Sequence, residues 1–123
     1  MSHNIAWYDI PALNLDRAIA FYSAVLGAEV EKKQVGDTLL GLLPTPDGGR
    51  MGCIRVTPGF KPSIDGIAIS FNVDGRLKQA VAAAKTFGGA VRKDIHSIGP
   101  FGFMAKITDS EGNGFSLQAS SDT

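Results

Sequence analysis

The sequence predicts an α+β fold in which two βαβββ modules contribute their strands to one curved mixed sheet around a cavity. Three observations carry this. The stretch "IAWYDIPALNLDRAIAFYSAVLGAEVEKK" from Ile5 and the stretch "IAISFNVDGRLKQAVAAAKTFGGAVRKD" from Ile67 follow one plan. Both run strand, cap, helix, glycine, strand, at an offset of about 62 residues, and repetition at a fixed offset marks a duplicated unit. Each copy is then followed by two alternating segments joined by a turn: "TLLGLLP" and "RMGCIRV" through "TPDGG", then "FGFMAKITD" and "GFSLQA" through "SEGN". Asp-Gly and Gly-Asn dipeptides favour such tight connections. Between the copies lies "TPGFKPSID", rich in Pro and Gly and suited to a crossover. The expected modules span about residues 4–57 and 66–119 of one domain, residues 1–123. The length of 123 residues suits a single domain, and a half this small buries too little surface to stand alone.

The elements follow in order. Ile5 to Ile10 alternates as a strand. Asn14 is placed to cap a helix, with Asp16 in the favourable first turn. Apolar residues at Leu15, Ala18, Ile19, Tyr22, Val25 and Leu26 form one helical stripe. Gly27 supplies the left-handed stop, and "AEVEKK" is extended. In the second copy "GIAISFNV" is the strand, and Asp74 is the expected cap. Its helical stripe is Leu77, Ala80, Val81, Ala84 and Phe87, which Gly88 and Gly89 end, and "AVRKDI" resumes the strand.

Composition narrows the function. Twelve basic and twelve acidic residues give zero formal charge, which lacks the basic field that nucleic acid requires. No polybasic or basic amphipathic segment suits a membrane surface, and no apolar run reaches a spanning length. The opening "MSHNIAWYDI" lacks the basic and apolar regions of a signal peptide. Cys53 is the single cysteine, so neither an internal disulfide nor a CxxC motif exists. The expectation is a cytoplasmic protein with neither a nucleic-acid nor a membrane partner.

The segments "LNLDRAIAFYSAVLGAEV" and "ITDSEGNGFSLQ" resemble those of the vicinal oxygen chelate superfamily, which includes glyoxalases, bleomycin-resistance proteins and extradiol dioxygenases. The second echoes an Asp-Pro-x-Gly-Asn turn, with Ser110 in place of proline. "GGRM", "RLKQAVAAAKTFGGAV" and "GPFGFMAKITDSEG" look closest to a glyoxalase-like branch. The resemblance implies paired βαβββ modules, a homodimer, and, in metal-dependent members, an ion held by His, Glu or Gln side chains in the cavity. Carried over, the ligand positions fall on Trp7, Gly66, Ser116 and one of Cys53, Ile54 or Arg55. An indole N–H only donates, glycine offers no side chain, and a lone serine hydroxyl is a poor ligand. A divalent ion needs several converging N, O or S donors. Neither histidine falls at a ligand position: His3 lies near the terminus and His96 elsewhere. The expectation is no metal and no other cofactor, with an unusual site of Asp9, Cys53 or Gln118 as the counter-reading.

Alternation then assigns the pocket. Ile5, Trp7 and Asp9 share one face, and the ligand position that the resemblance puts on Trp7 implies that this face is the inward one, where an aromatic wall suits a planar or apolar ligand, although the indole can equally fill a void. Gly66, Ala68, Ser70 and Asn72 line the same side in the second copy, opposite an expected core row of Ile67, Ile69, Phe71 and Val73. Ser116 and Gln118 face inward from the last strand, with Phe115 and Leu117 in the core. Asp9 has two readings: a desolvated carboxylate with raised pKa that acts as a base, or the partner of Arg55, which is preferred. Arg50 and Arg55 can hold an anion, and Lys106 has no assigned face. His96 is a titrating imidazole whose role is structural or basic. "GPFGF" is a mobile loop with Phe101 or Phe103 as lid, or a plain turn. Cys53 reads as a small buried hydrophobe.

The expected function is metal-independent binding of a small organic molecule by Trp7, Asp9, Arg55, Ser70, Asn72, Phe101, Ser116 and Gln118, for resistance, sequestration or sensing. The alternatives are a glyoxalase-like lyase, isomerase or dioxygenase-related enzyme using Asp9 or His96 as base with Arg55, and an interaction module whose cavity has collapsed.

Overall fold

The computed structural model describes residues 4–123; His3 lies outside them. The chain forms β1 (Tyr8–Pro11), α1 (Leu15–Leu26), β2 (Glu31–Val35), β3 (Thr38–Pro44) and β4 (Arg50–Arg55). The second copy forms β5 (Ser70–Asn72), α2 (Leu77–Thr86), β6 (Ala90–Ser97), β7 (Phe103–Thr108) and β8 (Gly114–Ala119). Each copy is therefore βαβββ. The strands hydrogen-bond as two four-stranded mixed sheets, β1-β4-β3-β2 and β5-β8-β7-β6. In each, the first strand runs parallel to the last and the remaining pairs are antiparallel.

α1 forms where its signals lie. The Asn14 side chain accepts from the Arg17 amide at 3.0 Å, satisfying one orphan donor of the first turn. Gly27 closes the helix at φ 68°, its amide bonding Ser23. The buried face is Ala18, Phe21, Tyr22 and Val25; Phe21 joins the stripe, while Leu15, Ile19 and Leu26 pack at its margin. Each large side chain so buried contributes roughly 1.5–3 kcal/mol. On α2, Leu77, Ala80, Val81 and Ala84 are buried as expected, but Phe87 is exposed. The N-cap is Arg76, not Asp74. Asp74 instead accepts the Ser120 amide at 2.7 Å, and that long-range bond removes it from capping. Arg76 turns back to the open end of α1, donating to the Val25 carbonyl and, at 3.4 Å, to Ala24. A cation there complements the helix dipole and ties the two helices together.

Two strands are shorter than alternation predicts. β1 begins at Tyr8, so Ile5 and Trp7 precede it. β5 holds only Ser70–Asn72, leaving Gly66 and Ala68 outside the ladder. The linker causes this: Ser63 supplies the carbonyl for the Gly114 amide, and its own amide bonds Asn113 Oδ1. Ser63 thus sits where the earlier part of β5 would pair, and Gly66 bends the chain at φ 113°. The expected core row breaks with it. Ile67 is 96% exposed and Ile69 half-buried, while Val73 stays in the core and Phe71 packs against it.

The turn Asp109–Asn113 joins the copies. Asp109 Oδ1 accepts the amides of Glu111, Gly112 and Asn113. Its Oδ2 accepts the Tyr22 hydroxyl at 2.5 Å. Glu111 reaches α1 and accepts the amides of Leu13 and Asn14, both at 2.8 Å. Asn113 donates to the Pro11 carbonyl at 2.8 Å.

Candidate functional site

The strand ladders sort the predicted residues by face. Gly52 and Ile54 face the helices: Ile54 is in the core, and a Cβ on Gly52 would lie 2.5 Å from the Tyr8 ring. Met51, Cys53 and Arg55 therefore occupy the opposite face with Asp9. This settles the register of β4 and removes Ile54 from the former ligand positions.

Asp9 gathers this face. Its Oδ1 accepts the Trp7 indole N–H at 3.0 Å and the Cys53 thiol at 3.0 Å. Its Oδ2 lies 3.5 Å from Arg55 Nη2. The bond from Cys53 lowers its pKa, and Trp7 and Arg55 add to this against a smaller opposing effect of burial. The raised pKa weighed for a basic Asp9 is therefore not found, because three donors satisfy the carboxylate. Arg55 is further fixed by Thr57 Oγ1 at 2.8 Å and lies over the Phe60 ring at 4.3 Å. Cys53 is buried, and burial, with its bond to Asp9, pushes the thiol up to about 11. Trp7 is 43% exposed, so the indole does not fill a core.

The second copy builds a separate concavity of about 360 Å³ bounded by Ser70, Asn72, Phe101 and Gln118. Ser70 pairs with Ser116, and Asn72 with Gln118, so the four share a face. Ser116 is buried, lies off this concavity and stands beside Lys106 across the β7–β8 ladder. Lys106, whose face alternation alone left unassigned, lies on this face, as does Met104, the partner of Gln118. Phe101 ends a short 3₁₀ turn, Gly99–Phe101, and is 73% exposed at the rim, where its carbonyl accepts from Gln118 at 3.4 Å. Gly102 permits this turn: its φ is 97°, and a Cβ would lie 2.2 Å from the Ala119 carbonyl oxygen. Phe103 packs against the core. His96 sits on β6, at the far edge from β5, with Nδ1 2.8 Å from the Asp94 carbonyl. It is not brought to Asp9. Arg50 is occupied by the Gly49 carbonyl at 3.0 Å and Glu31 at 3.7 Å.

These donors do not fit a divalent ion. Trp7 and Arg55 only donate, Gly66 has left the strand, and a thiol pushed up to about 11 resists becoming a thiolate ligand. Among the described residues no group of three His, Cys, Asp or Glu is placed to hold a metal.

Paired βαβββ units with a polar, helix-free sheet face define the glyoxalase/bleomycin-resistance class of the vicinal oxygen chelate superfamily. Residues 7–118 match the profile of the Glyoxalase-like domain, and the chain belongs to that family. The chain is similar to a glyoxalase/bleomycin resistance protein from Albidiferax ferrireducens, with TM-score 0.72, 15% identity, and coverage of 93% of this chain and 96% of that one. It is similar to a glyoxalase/bleomycin resistance protein/dioxygenase family enzyme from Burkholderia phytofirmans, with TM-score 0.71, 14% identity, and coverage of 96% and 99%. It is also similar to the fosfomycin resistance protein FosX of Listeria monocytogenes, with TM-score 0.72, 13% identity, and coverage of 96% and 91%. At such identities the likeness shows the fold. No curated protein sequence matches the chain. Among the described residues no helix is long and apolar enough to cross a membrane.

Proposed function

We propose that this protein binds a small organic molecule on the helix-free faces of its sheets without a divalent ion, as a cytoplasmic homodimer. One observation carries the reading. A single carboxylate, Asp9, pins an exposed indole, Trp7, beside a half-buried guanidinium, Arg55. A flat apolar surface and a fixed cation then stand together, oriented before any ligand arrives, so binding loses little side-chain entropy. The ligand that fits is planar, with a polar or anionic edge. In the second copy Ser70, Asn72 and Gln118 offer hydrogen bonds, Phe101 an apolar rim, and Ser116 lies on the same face. The names of structural relatives, a bleomycin-resistance and a fosfomycin-resistance protein among them, support resistance or sequestration as the role.

The test is a thermal-shift screen of planar organic acids and amides, followed by titration of the fluorescence of Trp7, the sole tryptophan. A ligand that quenches Trp7 and loses about tenfold in affinity in Arg55→Ala supports the reading. Ligands indifferent to both Trp7→Ala and Arg55→Ala would sink it. Sedimentation velocity checks the homodimer.

A further inference from the structure

A second cleft opens where the two sheets meet without pairing. It lies between the unpaired edges of β1 and β5, and its volume is about 420 Å³. Tyr8, Tyr22, Phe71 and Phe115 form one wall as a cluster of edge-on and tilted rings, with centroids 5.5 to 5.9 Å apart. Phe60 stands on the linker side and Ile67 at the mouth. The cleft is a consequence of the fold: Ser63 takes the Gly114 amide, the chain from Ile64 bows outward, and no ladder joins the two sheets.

We propose that this cleft is a binding site for a neutral, planar aromatic molecule of one or two rings that carries a hydrogen-bond acceptor. The volume is that of a small-ligand pocket, and aromatic walls favour a flat ring. The acceptor follows from Tyr8. Its hydroxyl has no hydrogen-bond partner among the described residues, yet no fully buried side-chain oxygen there lacks one, so it is not fully enclosed, and Tyr8 lines the cleft. Burial, with a smaller effect of Cys53, pushes the phenol up to about 12, which keeps it a donor at neutral pH. Neutrality follows from the lining, where Asp9 is already paired with Arg55 and where Lys61 and Asp65 both border the cleft; what a charged ligand gains from Lys61 it loses to Asp65. The site adjoins the Trp7–Asp9–Arg55 face without including Trp7 or Arg55: Asp9 lines the cleft, and Phe60, which also borders it, lies under Arg55.

The experiment is a titration with coumarin, a neutral two-ring lactone, followed by backbone amide shifts, with indole as a ring that lacks a comparable acceptor. Saturable shifts at Ile67, Phe71, Gly114 and Phe115 are expected. Tyr8→Phe, confirmed as folded by the same spectra, should weaken coumarin about fivefold, the size of one hydrogen bond, and leave indole unchanged. Three results overturn the proposal. The shifts fail to saturate, they are confined to the Trp7 and Ser70 faces, or the cleft resonances respond to protein dilution and not to coumarin, which would make a second copy of the chain the occupant.

Discussion

Arg17 on α1 and Glu111 in the β7–β8 turn form a two-pronged ion pair, Nε to Oε2 at 2.7 Å and Nη2 to Oε1 at 3.0 Å. The Glu111 side chain is fully buried while Arg17 is half exposed. Burial alone would raise the acid's pKa, but Arg17, the amides of Asn14 and Leu13 and the Ser110 hydroxyl outweigh it and hold it at about 2. This residue joins the second copy to the first turn of α1.

Replacing Glu111→Gln should therefore cost roughly 2–3 kcal/mol at neutral pH, because charge-assisted bonds are lost at a buried position. A carboxylate depressed from 4.5 to about 2 contributes stability that is complete above pH 4.5. That contribution disappears as pH falls toward 2. The difference between wild type and Glu111→Gln, measured by urea denaturation at several pH values, should be constant above pH 4.5 and shrink below it. A deficit that ignores pH contradicts the ion-pair account.

Tyr22→Phe tests the neighbouring link. The lost hydroxyl leaves Asp109 Oδ2 with one remaining donor, the Asn113 side chain at 2.9 Å. A cost of about 1–3 kcal/mol is expected from the under-satisfied buried carboxylate. Denaturant titration reads it, and a neutral result would make the short Tyr22–Asp109 contact energetically idle.

Gly102→Ala should disturb the concavity more than the core. A Cβ at φ 97° and 2.2 Å from the Ala119 oxygen forces the Gly99–Phe101 turn away from β8. The strain is about 1–3 kcal/mol. Amide shifts should change around Phe101, Gln118 and Ala119 while α1 stays unperturbed. Spread of the change into α1 would mean that the turn is coupled to the whole fold.

Asp9→Ala should release Trp7 and Cys53 together. With the depressed pKa of Asp9, wild-type Trp7 emission should hold steady through neutral pH and change only in acid, below the ordinary value of 3.8. The variant should emit differently at every pH, and its Cys53 should react faster with a thiol reagent at pH 8. Identical emission in the two proteins would remove the indole–carboxylate bond from the account.

Local signals made much of this fold legible. Asn14, the helical stripe and Gly27 specify α1, and "GFSLQA" becomes β8 unchanged. Ser70, Asn72, Ser116 and Gln118 do share a face because period-two alternation is geometric. What failed depended on distant partners. Asp74 abandons its capping role for Ser120, and β5 loses its first half to Ser63. Neither competitor is visible within a local window. The same holds for Glu111: "DSEGN" announces a turn, but nothing local says that its glutamate will grip the start of α1. Alternation also left Cys53 and Ile54 ambiguous, and only the pairing of Asp9 with Cys53 separates them.

The measurement that tests the central claim most directly is metal content by elemental analysis, after dialysis of the pure protein against trace nickel, zinc, manganese and iron. The account predicts metal far below one ion per chain, with thermal stability unchanged by a chelator. Stoichiometric metal that is lost in Asp9→Ala or Cys53→Ala would contradict it and restore metal-assisted chemistry to this face.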